Sequence, residues 1–366
     1  MLVAKPFRFK PVPCRQVAGF FTPLLDELAG VPLTHNNSRS SGSAVIRKAA
    51  GPLFKQPQPS TMRHQSGAAA VQASSTTDEK YKIVERADNF EKLEAGRPDF
   101  DHSNAPIPMT KSPNPGWQYG SGVPIDTGKL DIPHKEIDPY AEDRPMVNNY
   151  RLLISAISPR PIGFLSTVSK DGKTKNLSPF SYFQVIDHDP PMFVVEFSSR
   201  PGRVKDTYRN LKETGECVIN TVSENMIEAV NASSIDAPYG VSEWEISGLH
   251  EAPTTTVKPS RVQESVMSVE GKVVDIKEFT DHGQPGMSVA SLVLIKATRF
   301  WVREDAANED YSHIDLNVLR PVGQLGGMAY GRILSAFDLP RRRWVDEKPK
   351  SELLTRLQER HEGDNQ

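Results

Sequence analysis

Hydroxyl and amide side chains gather between Pro159 and Phe183 among many apolar neighbours: Ser166, Thr167, Asn176, Ser178 and Ser181. Pro161 and Pro179 interrupt the backbone ladder there. Unpaired N–H groups then join these side chains as partners for the polar rim of a flat heteroaromatic ring. A second group lies in Ser198-Ser199-Arg200-Pro201-Gly202-Arg203-Val204-Lys205-Asp206-Thr207, where two hydroxyls and three cations precede a short helix. Free amides at a helix start with cations beside them bind anions, and phosphate is the usual occupant. Two or three charge-assisted hydrogen bonds of about 1.5–3 kcal/mol each anchor a dianion. The two groups together describe a site for a phosphorylated planar cofactor. Two plainer readings stay open. The charges also suit a solvated turn, with Asp206 as an ordinary first-turn acid, and the hydroxyls also suit a solvated strand face.

The elements that must position these residues are mostly strands. Residues 162–168 alternate as a strand, Lys170-Asp171-Gly172-Lys173 suits a tight hairpin turn, and a return strand covers residues 175–185. Pro190-Pro191 opens a third strand at 192–197. Val204, Tyr208 and Leu211 share one helical face, which predicts a helix over 205–214 that stops at Gly215. Residues 216–222 form another strand, Ser223 can cap a helix through Ala232, and two long strands follow at 264–279 and 287–302. Many strands with few short helices between them point to a mainly β, closed or partly closed barrel.

Composition sets the limits. The chain has 366 residues, of which 37% are hydrophobic, and 17 of the 30 prolines fall in the first 150 residues, so the front is not core. Residues 1–76 carry nine Lys or Arg against Asp26 and Glu27, without apolar periodicity. Residues 1–77 therefore read as a disordered tail with transit-peptide character, which would make the protein mitochondrial; without that function it is cytoplasmic. Residues 78–146 read as an extended Pro/Gly-rich arm expected to pack onto the barrel of its own or the partner subunit through Trp117, Tyr119 and Tyr140. Residues 147–340 form the barrel and 341–366 a charged C-terminal tail. Net charge is −2 with no basic stripe, which argues against nucleic acid. No apolar run reaches the roughly 20 residues that span a bilayer. Cys14 and Cys217 make neither a disulfide framework nor a thiolate metal site, and Asp187-His188-Asp189 reads as a polar turn, so no metal is expected. Gly120-Ser121-Gly122 and Gly323 to Gly327 lack the β-α-β setting of a dinucleotide fingerprint. No Walker loop or Gly-x-Ser-x-Gly turn occurs, so an enzyme here borrows its chemistry from a cofactor.

Several motifs then occur in a telling order: Tyr150-Arg151-Leu152-Leu153, Pro159-Arg160-Pro161-Ile162, Ser166-Thr167, Asn176-Leu177-Ser178-Pro179-Phe180-Ser181-Tyr182-Phe183, Pro190-Pro191, Lys205-Asp206-Thr207 with Asn210, and Thr214-Gly215-Glu216. Over residues 147–335 the sequence resembles the FMN-binding flavin reductase-like domain. The closer likeness is to its flavoprotein oxygenase branch and to fungal members with a long N-terminal arm. The resemblance implies an FMN-binding split β-barrel and a homodimer with FMN near the subunit interface. It also implies electron flow from NADH or NADPH through FMN to flavin, oxygen or a small substrate. By the same resemblance Arg160, Pro161, Ile162, Ser166 and Thr167 line the ribityl chain and ring edge. Asn176, Leu177, Ser178, Pro179, Phe180 and Ser181 cradle the isoalloxazine with backbone amides, and Lys205, Asp206 and Thr207 with Ser199 and Arg200 take the phosphate. Three positions depart from the family pattern: Ser178 stands where Ala is usual, residues 268–271 lack a Cys, and Gln324 replaces a common Arg. No side chain is expected as a catalytic acid or base. The rival readings are an FMN-binding electron carrier or sensor without turnover, and a similar barrel for another phosphorylated cofactor or haem.

Overall fold

A computed structural model describes residues 90–123, 132–198, 204–281 and 284–364. The expected tail, residues 1–77, and the turn residues Ser199 and Arg200 lie outside the described residues.

Seven strands form one antiparallel sheet: β1 Gly163–Val168, β2 Lys175–Phe180, β3 Phe183–His188, β4 Pro191–Ser198, β5 Glu216–Asn220, β6 Met267–Asp281 and β7 Gln284–Val302, in the spatial order β2-β1-β5-β6-β7-β4-β3. Its two edge strands, β2 and β3, are consecutive in sequence and linked by only Ser181 and Tyr182. A sheet whose edges are joined by two residues must curl until those edges meet, which makes it a barrel. The expected return strand over 175–185 is thus two strands broken at this corner. Across the corner the Phe183 ring lies on Gly163, where a Cβ would come within 2.6 Å of it, so only glycine allows the approach.

The hairpin between β1 and β2 turns at Gly172, with φ 75°, and Asp171 accepts from the Ser169 hydroxyl at 2.6 Å and from the Lys173 N–H at 3.2 Å. Asp187 and His188 end β3 and the chain turns at Asp189 and Pro190; Asp187 Oδ1 accepts the N–H of His188 at 2.7 Å and of Asp189 at 3.3 Å.

Inside the barrel Leu165, Val195, Phe197, Cys217, Ile219, Val269, Val293 and Ile295 pack with Tyr208 and Leu211 of helix α2, Asp206–Thr214. Gly215, at φ 70°, ends α2 as its pattern predicts, its N–H donating to Leu211 O. A second cluster covers the other side of β1 and β2. There Ile162, Phe164, Leu177 and Val222 meet Met226, Val230 of α3 (Ile227–Ala232), Trp244 of α4 (Glu243–Ser247) and Val262. Phe164 and Phe197, fully buried, each contribute about 2–3 kcal/mol of hydrophobic stabilisation. With a core on each side, all six residues of β1 are buried. Its hydroxyls therefore do not sit on a solvated strand face.

Ahead of the barrel runs helix α1, Met146–Ala156, which buries Ile154 alone. The arm docks differently from expectation. Arg332 donates to Asp101 O at 2.9 Å and stacks on the Phe100 ring at 4.2 Å, Ile107 N–H donates to Asn317 Oδ1 at 2.7 Å, and Met109–Thr110 pairs in parallel with Ala336–Phe337. Trp117 meets Tyr119 edge-on at 5.8 Å, and the Tyr119 hydroxyl donates to Glu347 at 3.3 Å, so this pair reaches the C-terminal segment and not the barrel. Tyr140 is 90% exposed in the single chain. The charged C-terminal tail contains helix α5, Glu352–Asp364, with Leu354 buried.

Candidate functional site

Thr167 and Asn176 are cross-strand partners on β1 and β2. Thr207 and Asn210, three residues apart on α2, share the helix face that meets them. Thr207 Oγ1 donates to Asn176 Oδ1 at 2.6 Å, Thr167 Oγ1 donates to the same oxygen at 3.1 Å, and Asn210 Nδ2 donates to Thr167 Oγ1 at 3.0 Å. The Asn176 amide nitrogen in turn donates to Glu243 Oε2 at 3.0 Å, and Leu177 N–H reaches the same oxygen at 3.2 Å. All five side chains, from Thr167, Asn176, Thr207, Asn210 and Glu243, are at most 5% exposed. Burial pushes the Glu243 carboxyl up, against the lowering effect of its hydrogen bonds from backbone N–H groups and Asn176. The Asn210 carbonyl oxygen is buried and has no partner among the described residues.

The candidates named from sequence divide accordingly. Thr167, Asn176 and Thr207 are brought together, with their side chains hydrogen-bonded to one another. Ser166 and Thr167 cannot line one surface, because neighbours on a strand point to opposite faces. Ser166 lies under the second core and donates to Ser260 O at 2.5 Å. The side chains of Ile162 and Leu177 belong to the second core. Arg160 is buried too: its guanidinium donates to Ile154 O, to Ile157 O and Leu325 O at 3.1 Å each, and to Ser181 Oγ at 3.3 Å. That fork ties the end of α1 to the corner of the barrel. Gln324 takes part through its backbone, exchanging 2.9 Å hydrogen bonds with Arg160.

Ser178, Pro179, Phe180 and Ser181 remain half-buried along the edge strand β2, with Pro161 exposed nearby in sequence. Leu177 N–H points off the sheet to Glu243. Pro179, two residues on, falls at the same outward position, where its missing N–H costs no ladder bond. Lys205 is the exposed N-cap residue of α2 and supplies no side-chain cap. The N–H groups of Asp206, Thr207 and Tyr208, which a helix cannot pair internally, have no partner among the described residues. Burial pushes the Asp206 carboxyl up, opposed by Arg209 and Lys205.

Glu243 carries no signal in the sequence that marks it, since its partner Asn176 is 67 residues away. Asn210 stands in the quoted motif and proves to belong to the network. The donor set fits a phosphorylated planar group. Uncapped amides and an exposed cation lie at the start of α2, which the network docks onto β2, the strand that carries the half-buried segment from Ser178 to Ser181. A cavity of about 400 Å³ elsewhere, lined by Asn104, Glu224, Arg303 and Arg320 among others, does not compete. Its charged groups are already paired, Arg320 with Glu224 at 3.4 Å and Arg303 with Asp305 at 2.5 Å.

Comparison with known proteins agrees with this geometry. The family described as "flavin reductase like domain" matches residues 155–319, the span that carries β1 to β7 and α2. The uncharacterized protein BH2278 of Halalkalibacterium halodurans is 39% identical over 194 residues, 53% of this chain and 90% of that protein. The chain belongs to the flavin reductase like domain family. Among solved structures, nitrilotriacetate monooxygenase component B from Bacillus cereus superposes with a TM-score of 0.52 at 26% identity, covering 57% of this chain and 100% of the other. The 2-nitrobenzoate 2-nitroreductase NbaA of Pseudomonas fluorescens superposes with a TM-score of 0.50 at 26% identity, covering 57% and 96%.

Proposed function

We propose that this protein is an FMN-dependent oxidoreductase, a flavin reductase or flavoprotein oxygenase, that passes electrons from NADH or NADPH to flavin, oxygen or a small substrate. The observation that carries this reading is the start of α2, where unpaired N–H groups and Lys205 lie beside the half-buried edge of β2. Family membership and the redox names of the two superposed proteins support it.

Bound FMN would supply the electron transfer itself. The chain's own residues bind and orient. Lys205 and the amides of residues 206 to 208 attract a phosphate through charge and the helix dipole. Ser178 and Ser181 offer hydroxyls to a ring edge, and Arg160 holds Ser181 Oγ in place from behind. Donors fixed in advance lose little entropy on binding and need no reorganisation during reaction. Exposed apolar side chains of α1, Leu152 and Leu153, and of β3, Val185 and Ile186, support assembly as a homodimer through these faces.

Anaerobic mixing of FMN-loaded protein with NADH and with NADPH tests the proposal. Bleaching of the flavin band at a catalytic rate with either donor is the expected result. Bound flavin that stays oxidised with both would make the protein a carrier or sensor, and failure to bind FMN would end the reading altogether.

A further inference from the structure

The buried cluster of Glu243, Asn176, Thr167, Thr207 and Asn210 contributes little apolar surface and touches solvent hardly at all. Its hydrogen bonds run in one direction. The Glu243 carboxylate can only accept, so it fixes the Asn176 amide with its nitrogen toward Glu243 and its oxygen toward α2. That oxygen then takes the hydroxyl protons of Thr207 and Thr167, and Thr167 is left to accept from Asn210. A flipped Asn176 would set its carbonyl oxygen against the carboxylate in a buried, low-dielectric place, which is strongly unfavourable. Thr207 and Asn210 are both on α2, and Thr207 is the second residue of its first turn.

We infer that Glu243 is a positioning residue for the anion site: through Asn176 and Thr207 it fixes where the first turn of α2 sits against β2, and so where its free amides meet a phosphate. The inference rests on the phosphate reading above. Burial also makes the cluster stiff, since Thr167, Asn176, Thr207 and Asn210 each lose a partner if α2 shifts. Positioning of this kind acts on the phosphate end of a ligand and leaves ring contacts along β2 unchanged.

The test is a pair of titrations on the full chain, with FMN and with riboflavin, which lacks the phosphate, in wild type and three variants. Thr207→Val keeps shape and removes the donor. Glu243→Ala removes the anchor. Glu243→Gln keeps an acceptor for Asn176 and Leu177. The expected result is a fall of about tenfold in the preference for FMN over riboflavin in Thr207→Val and Glu243→Ala, with riboflavin affinity within twofold of wild type, and a preference restored in Glu243→Gln. Should Glu243→Ala not fold, Thr207→Val decides. An unchanged preference in Thr207→Val, or equal weakening for both ligands, overturns the inference and leaves the cluster as a structural one. A wild type that shows no preference for FMN defeats the phosphate reading first, and the inference falls with it.

Discussion

Glu270 is a fully buried carboxylate whose loss should be felt across the acid range. Its two oxygens accept from Thr255 N–H at 2.8 Å, Thr256 N–H at 2.6 Å, the Thr256 hydroxyl at 2.5 Å and the Trp301 indole N–H at 2.7 Å. They thereby pin the loop that precedes Arg261 and Val262 onto β6 and β7. Burial opposes the charge, but the hydrogen bonds from Thr256, Thr255 and Trp301 outweigh it and lower the pKa from 4.5 to about 2. At about 1.4 kcal/mol per decade of acidity, that drop corresponds to about 3 kcal/mol of folding stability. Because the folded value is depressed, the contribution is complete above pH 4.5 and is lost as pH falls through 2, with about half gone by pH 3. Glu270→Gln has no charge at any pH and should lie about 3 kcal/mol below wild type at pH 7, or roughly 10 °C in Tm. The gap should narrow steadily below pH 4.5. Denaturant unfolding of both proteins between pH 7 and pH 3, at one protein concentration, measures it. A gap that is the same at pH 7 and pH 3, or smaller than about 0.5 kcal/mol throughout, would refute the assignment of the ionised carboxylate as the hub of these contacts.

Three further outcomes are expected. Arg160→Lys replaces a fork by a single ammonium, which cannot serve Ile154 O, Ile157 O, Leu325 O and Ser181 Oγ together, and should cost about 1–3 kcal/mol in denaturant unfolding. Cys217 is buried and its thiol is pushed up to about 12, so in a Cys14→Ser background an aromatic disulfide reagent at pH 8 should react only after denaturation, and rapid reaction of the native protein would contradict its burial. Tyr140→Ala should leave Tm unchanged within error, whereas Phe100→Ala, which removes the ring beneath Arg332, should lower it measurably.

Much of the barrel was legible because its signals are local. The Asp171-Gly172 turn, the Gly215 stop and the two long strands follow from alternation and turn residues within a few positions of one another. The break at Ser181-Tyr182 was not, since the apolar pattern runs on through it; only closure of the sheet puts its two edges there. The type of chemistry in the first hairpin was legible as well, but its direction was not. Thr167, Asn176 and Thr207 suit a polar ligand by type, and the convergence of elements that joins their side chains to one another leaves no local signal. Glu243 and Glu270 were hidden for the same reason, because their donors lie up to 67 and 31 residues away.

The phosphate site proposed at the start of α2 is tested by one comparison of ligands. Lys205 is exposed, so its contact with a phosphate falls at the low end for a charge-assisted bond, about 1.4 kcal/mol or tenfold in affinity. Fluorescence titration of Lys205→Ala with FMN and with riboflavin, beside Arg209→Ala as a cation already stacked on Tyr239 at 4.2 Å, reads this out. The predicted result is FMN weakened about tenfold in Lys205→Ala alone, with riboflavin unchanged in both variants; equal weakening of the two ligands, or no weakening of FMN, would contradict it.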